Sequence, residues 1–222
     1  MSPNPPKAPT RSRAPWIIGS VVAVVALLFA VVALLSGTGS GGSDGGSADD
    51  AGRMGVVNGP VTITGAILPA VAPAGADPAA GKAFPVLKGS NLLDGSPLEI
   101  GADGRPKVVM YLAHWCPHCQ AEVPVITKWI AEHGKPKDVD LYAVSTAVAP
   151  ERGNFPPASW LEREKWPVPT MADTEDGIAF KAAGLSSFPS FVVVDANGKV
   201  LTRTSGELST TQFEQLLAQA KG

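Results

Sequence analysis

Hydrophobic and polar positions change character several times along this chain. From Trp16 to Leu35, "WIIGSVVAVVALLFAVVALL" runs for 20 residues without a charge. At about 1.5 Å rise per residue, a helix of that length covers roughly 30 Å, the hydrocarbon thickness of a bilayer. Further on the pattern is that of a folded domain. "KVVMYLA", Lys107 to Ala113, and "VDLYAVS", Val139 to Ser145, are continuous apolar runs that predict buried strands. Between them Val123, Ile126, Trp129 and Ile130 recur at helical spacing, and Gly134 marks the stop. Pro124 falls inside that helix and predicts a kink.

"PASWLEREKW" and "GIAFKAAG" predict two short helices. "SFVVVD" and "VLTRTSG" flank an Asn197-Gly198 turn and read as a hairpin, and "TTQFEQLLAQA" closes the chain as an amphipathic helix. Ahead of these, "PVLKGSNLLDGSPLEIGADGRP" reads as short strands broken at Asp94-Gly95 and Asp103-Gly104. "VVNGPVTITGAIL" also alternates like a strand. Strand, helix, strand, helix, hairpin and helix is the order of a thioredoxin fold, an α/β class. Its crossover helices imply parallel strand pairing, and its hairpin an antiparallel edge.

Composition divides the chain. Glycine (24) and proline (21) are concentrated in the first 105 residues, outside the part with core-like patterning. Residues 1–15 are a proline-rich basic tail, 16–35 the anchor, 36–82 a flexible linker able to carry short strands, and 83–222 the thioredoxin-like domain. The net charge of -2 lacks the basic excess that phosphate backbones attract, which argues against nucleic acid as a partner. Lys7, Arg11 and Arg13 precede the apolar segment, while Gly, Ser, Thr and acids follow it. The positive-inside rule then gives a single-pass protein with a cytoplasmic N-terminus and an extracytoplasmic domain, with Trp16 at the interface. The rival is a cleaved signal peptide, whose apolar core is usually about 7–15 residues. Either way the domain works where disulfides persist.

The only two cysteines are Cys116 and Cys119, in "AHWCPHCQAEVP". A disulfide over so short a loop restrains almost nothing in the unfolded chain, so a structural staple explains little. Zinc would draw on these cysteines with His114 and His118, but a structural site normally needs a second ligand pair further away. No metal is expected. A redox pair explains more. A strand delivers the chain to Cys116 and a helix starts there, so unpaired N–H groups and the helix dipole stabilise a thiolate on that sulfur. Cys119, one turn in, is then the resolving cysteine. Trp115 can shield the site or be a plain core aromatic, and the sequence leaves both open.

"WCPHC", the "AEVP" after it and "SSFPSFVVVDANGKV" together resemble the membrane-anchored TlpA/ResA-like branch of the thioredoxin superfamily, from about Ala83 onward. The resemblance implies a cis-proline at Pro189, preceded by Phe188 and facing the dithiol, and a helix-kink proline at Pro124. It also implies that Glu122 tunes the dithiol, against the alternative of a solvated surface glutamate. The activity implied is thiol–disulfide exchange with protein thiols or disulfides outside the cytoplasm. It needs no cofactor beyond the Cys116–Cys119 disulfide, and a separate membrane redox partner recycles it.

Direction is contested within the sequence itself. Pro117 and His118 between the cysteines match the CPHC of DsbA-type oxidases. An imidazole beside the Cys116 thiolate stabilises the reduced form and makes the disulfide a stronger oxidant. Scaffold and Glu122 point instead to reduction of apocytochrome c in cytochrome maturation. Motif chemistry tips the reading slightly toward oxidation. A redox-inactive docking or copper-handling module on the same fold is the alternative of another class. The anchor reading has a direct check: the full-length protein should stay with membranes through alkaline carbonate washing. A soluble mature form beginning after Leu35 would mean a cleaved signal peptide.

Overall fold

A computed structural model describes residues 57–222. The tail 1–15, the apolar segment Trp16–Leu35 and the linker as far as residue 56 lie outside the described residues. Among the described residues, no helix is long and apolar enough to cross a membrane.

The described chain runs β1 (Thr62–Thr64), β2 (Val86–Ser90), β3 (Pro97–Ile100), β4 (Lys107–Leu112), α1 (Pro117–His133), β5 (Asp140–Ser145) and α2 (Pro157–Arg163). It continues through β6 (Thr170–Ala172), α3 (Ile178–Ala182), β7 (Ser190–Val194), β8 (Val200–Ser205) and α4 (Thr210–Lys221). The first three strands form a small antiparallel sheet. The other five form the central sheet in the order β6-β5-β4-β7-β8. There β4, β5 and β6 are parallel, while β7 pairs antiparallel with β4 and β8 antiparallel with β7. This is the thioredoxin-like α/β arrangement, with the hairpin at the sheet edge.

Strand β4 lies at the centre, and all six of its residues are buried. Because successive side chains point to opposite faces, Val108, Met110 and Leu112 enter one core while Val109 and Tyr111 enter the other. The first core is closed by Val123, Ile126 and Ile130 of α1 and by Phe213, Leu216 and Leu217 of α4. The second is closed by Leu87 and Ile100 of the small sheet and by Ala179 of α3. Lys107 opens β4 fully buried, and its ammonium donates to Asp103 Oδ1 (2.7 Å) and to the Arg105 carbonyl (2.8 Å). Helix α1 runs through Pro124 as one element. Pro124 has no N–H to give the Gln120 carbonyl, so the ladder lacks one bond there.

One strand goes unread in the sequence pattern, and one expectation is corrected. Strand β6 has only three residues, too few to show a period in the sequence, yet Thr170, Met171 and Ala172 are all buried beside β5. The folded unit also begins well before Ala83. Val61, Leu68 and Ala79 are buried, and β1 pairs with β2, so residues 57–82 belong to the domain rather than to a linker. What holds this segment is mostly main chain and one cation. The Arg203 guanidinium, on β8, donates from Nε to Asp77 Oδ2 (3.0 Å) and from Nη1 to the carbonyls of Pro69 (2.9 Å) and Ala183 (2.7 Å). The N–H groups of Leu68 and Val71 donate to the Ala182 and Gly184 carbonyls. Gly184 has φ +66°, and a Cβ there would lie 2.3 Å from the Pro69 oxygen, so the close approach requires glycine.

The Arg203 side chain is fully buried and that of Asp77 only 12% exposed, so the pair is expected to matter. Hydrogen bonding from Arg203 holds the Asp77 carboxyl below its usual range. Asp77→Asn leaves a buried guanidinium without its counter-charge and should cost about 3 kcal/mol. A urea titration reads this as a lower midpoint at unchanged slope. An unmoved midpoint would mean that main-chain bonding alone holds the segment.

Candidate active site

The carboxyl end of β4 feeds directly into the cysteine motif. Cys116 is the N-cap of α1, in an extended conformation (φ -75°, ψ 121°), and Pro117 occupies the first helical turn, where a missing N–H costs nothing. Cys116 is therefore at the helix start, where the backbone N–H groups are unpaired. Both cysteines are free thiols here. Cys116 keeps 6% exposure and Cys119 none.

Each sulfur meets main chain. Cys116 Sγ lies 3.7 Å from the Phe188 carbonyl oxygen, to which its thiol donates, and the Phe188–Pro189 bond is cis. Cys119 Sγ accepts from the Ala113 N–H at 3.5 Å. Burial pushes the Cys119 thiol well above its ordinary pKa, and negative charge on Cys116 or Glu122 adds to this. The two sulfurs are thus unequal: one at the rim beside the cis-proline, one sealed in the core.

Glu122 follows Cys119 by three residues, which puts both on one face of the helix. It is not a solvated surface residue; it is 1% exposed. One carboxylate oxygen accepts from the Leu208 N–H at 2.7 Å, and the other has no hydrogen-bond partner. Burial pushes its pKa up to about 7, the Leu208 bond opposing and the Glu207 charge adding.

His118 points elsewhere than the sequence implied. Its Nδ1 lies 2.5 Å from Glu207 Oε1, and its side chain is 66% exposed. The hydrogen-bonding partner of this imidazole is a carboxylate across the site, not the Cys116 sulfur. Trp115 is half-buried. Its indole N–H donates to the Ala147 carbonyl (2.7 Å), and its ring meets Phe188 edge-on at 6.1 Å. It therefore walls the site through Phe188 as well as packing on the core.

Sequence reasoning missed four residues. Glu207 and Leu208, which reach His118 and Glu122, are more than 80 positions away in sequence, and nothing local marks them. His114, considered above only as a zinc ligand, is fully buried, with both ring nitrogens used. Its Nδ1 donates to the Gly153 carbonyl (2.8 Å), and Nε2 accepts from the Ala149 N–H (3.1 Å). Burial lowers its pKa, in keeping with a neutral ring. Arg152 lies over the Trp115 ring at 3.8 Å. Of the four, only His114 carried a signal in the sequence, as an imidazole beside the motif. Among the described residues, no group of three or more His, Cys, Asp or Glu is placed to hold a metal.

An α/β domain of this topology, with a cysteine pair at a helix start whose first sulfur lies at the rim and whose second is sealed in the core, defines the class: a thioredoxin-like oxidoreductase. The Redoxin family pattern matches residues 79–219, and the chain belongs to that family. Solved structures agree on the fold. A thioredoxin-family thiol:disulfide interchange protein from Chlorobium tepidum is similar at 22% identity and TM-score 0.53, over 67% of this chain and 100% of that one. The thioredoxin domain of a thiol-disulfide oxidoreductase from Bacteroides vulgatus is similar at 20% identity and TM-score 0.52, over 64% and 99%. Comparison with curated proteins finds no match.

The buried acid gives a pH signature. Its folded pKa of about 7 lies above the ordinary 4.5, so ionising Glu122 opposes folding. Stability should fall as pH rises from 4.5 through 7, by on the order of 3 kcal/mol. Glu122→Gln keeps an acceptor for Leu208 and should remove that fall, being relatively more stable at pH 8 than at pH 4. Thermal melts of both proteins across this range measure it; parallel profiles would mean that Glu122 is solvated.

Proposed function

We propose that this chain is an extracytoplasmic thiol–disulfide oxidoreductase of the TlpA/ResA-like kind, tethered to the membrane by Trp16–Leu35. It exchanges disulfides with protein substrates and is recycled by a separate membrane redox partner. The observation that carries the reading is the inequality of the two sulfurs. Only Cys116 is placed to meet a partner's sulfur, with the Phe188–Pro189 backbone beside it to align an extended peptide. Cys119 can react only with what is already bound to Cys116.

In the oxidising direction, a substrate thiolate attacks Cys116 Sγ of the disulfide. The Cys116–Cys119 bond breaks, and the electron pair leaves on Cys119, which takes up a proton. A second substrate thiolate then attacks the substrate sulfur of the mixed disulfide and releases the Cys116 thiolate, leaving the substrate oxidised and the protein a dithiol. The acid nearest that proton is Glu122, on the same helical face as Cys119 and ionising near neutrality. The CPHC resemblance of Pro117 and His118 supports oxidation by motif alone, since the imidazole is engaged by Glu207 rather than by Cys116 Sγ.

Reduction of apocytochrome c is the second reading, and the burial of Glu122 favours it, since that acid is the part the resemblance ties to the reductive branch. In that direction the Cys116 thiolate attacks a substrate disulfide and Cys119 resolves the product, losing its proton as it does so. A docking or copper-handling role is weaker. Cys119 is sealed from solvent, and His114 is committed to the loop, which leaves one accessible sulfur.

The deciding measurement is the reduction potential, with a trapping experiment beside it. Cys119→Ser should accumulate mixed disulfides through Cys116, and trapping through position 119 in the converse variant would reverse the roles. The potential should lie above about -270 mV, the thioredoxin value. His118→Thr should make it more reducing by tens of millivolts, where about 30 mV corresponds to 1.4 kcal/mol. A potential at or below the thioredoxin value, unmoved by the substitution, transfers the assignment to apocytochrome reduction.

A further inference from the structure

The segment between β5 and α2 is an eleven-residue loop, Thr146–Pro156, and it is tied to the redox motif at three points. The two residues immediately before Cys116 hold it. His114 binds the Gly153 carbonyl and the Ala149 N–H, and Trp115 binds the Ala147 carbonyl. Two non-glycine residues in the loop, Ala147 (φ 50°) and Asn154 (φ 63°), stand in the left-handed region, and Asn154 Oδ1 accepts from Arg163 of α2. Such conformations persist where the surroundings over-determine them. The loop is therefore a built feature of the site.

What it presents there is a cation. The Arg152 guanidinium carbon lies over the Trp115 ring, 3.8 Å from its centroid, and Trp115 meets Phe188, whose carbonyl faces Cys116 Sγ. Among the described residues Arg152 forms no ion pair. Its neighbour Glu151 is exposed and also unpaired, but only Arg152 is held over the motif. Phe155, 40% exposed, adds an apolar surface against His114. On the opposite side, His118 Nδ1 is hydrogen-bonded to Glu207 Oε1. The charge fixed over the motif on this side is thus positive, and it stands two ring contacts from the reacting sulfur. An extended peptide covers such a span in about three residues at 3.3 Å each.

We propose that Arg152 is a specificity-determining residue, selecting protein partners that carry an acidic side chain within about three residues of the reacting cysteine. The inference rests on the thiol–disulfide reading above. The stack on Trp115 holds the guanidinium in place before the partner arrives, so little side-chain freedom is lost when a carboxylate binds. At a solvent-exposed rim the effect is modest, a few-fold in rate rather than orders of magnitude.

The test uses the oxidised full-length protein and reduced peptides carrying one cysteine flanked by Asp, Asn or Lys. Acid quench and alkylation follow attack of the peptide thiolate on Cys116, and rates are expressed per thiolate to remove differences in peptide thiol pKa. Uncharged dithiothreitol is the control. The wild type should react about two- to fivefold faster with the Asp peptide than with the Asn peptide, and slowest with Lys. The preference should fade as added salt shortens the Debye length from about 30 Å to about 3 Å. Arg152→Gln should bring the three peptides near parity and Arg152→Glu should invert their order, the dithiothreitol rate staying constant. An Asp preference that survives Arg152→Gln at a normal dithiothreitol rate overturns the proposal. A disulfide that dithiothreitol cannot open overturns the exchange reading itself, and this proposal with it.

Discussion

Because β4 is covered on both faces, the helix that leaves its carboxyl end starts where only one side of its first turn meets water. That one-sided desolvation governs the site. It leaves Cys116 at the rim, with unpaired N–H groups behind it, and buries Cys119 and Glu122 one turn further in. Two groups that ionise easily in water are thereby held in a medium that disfavours their charged forms. The same burial that stabilises the domain sets the order in which the sulfurs can react.

The walls of the site come from far along the chain. Residues Gly206–Leu208, leaving β8, supply the N–H that holds Glu122 and the carboxylate that holds His118. The Phe188–Pro189 turn supplies the carbonyl that faces Cys116. The loop before α2 supplies the cation over Trp115. Three separate connections thus converge on one helix terminus, and each contributes main-chain groups as well as a side chain. Main-chain groups keep their positions with little entropy left to lose, which suits a site that must align two sulfurs and a peptide.

Away from the site, the N-terminal part of the domain is held by a different device. A guanidinium sunk beside β8 gathers one carboxylate and three carbonyls from segments that share no periodic pattern. Buried charges are costly unless every donor finds a partner, and here the partners lock residues 68–77 onto the hairpin. The lining segment so fixed covers the second core, the side of the sheet remote from the cysteines.

Much of this was legible in the sequence. The continuous apolar runs named β4 and β5, helical spacing named α1, and the Asn197-Gly198 turn named the hairpin, because those elements bury side chains at regular intervals. The pair Cys116 and Cys119 was recognisable from spacing, and the role of Pro189 only through the family resemblance that "SSFPSFVVVDANGKV" carries. Other features needed the folded chain. Residues 57–82 looked like a linker because their binding is through carbonyls, amides and one distant arginine, none of which leaves a period. The state of Glu122 was undecidable from its neighbours, since only the Leu208 backbone and the packing of α4 remove water from it. His118 was read by proximity in sequence to Cys116, whereas Glu207, 89 residues away, takes its ring nitrogen. Local pattern determines which segments are strands and helices and where the dithiol sits. Which groups surround that dithiol, and whether each is wet or dry, is fixed by long-range contacts that carry no local signature.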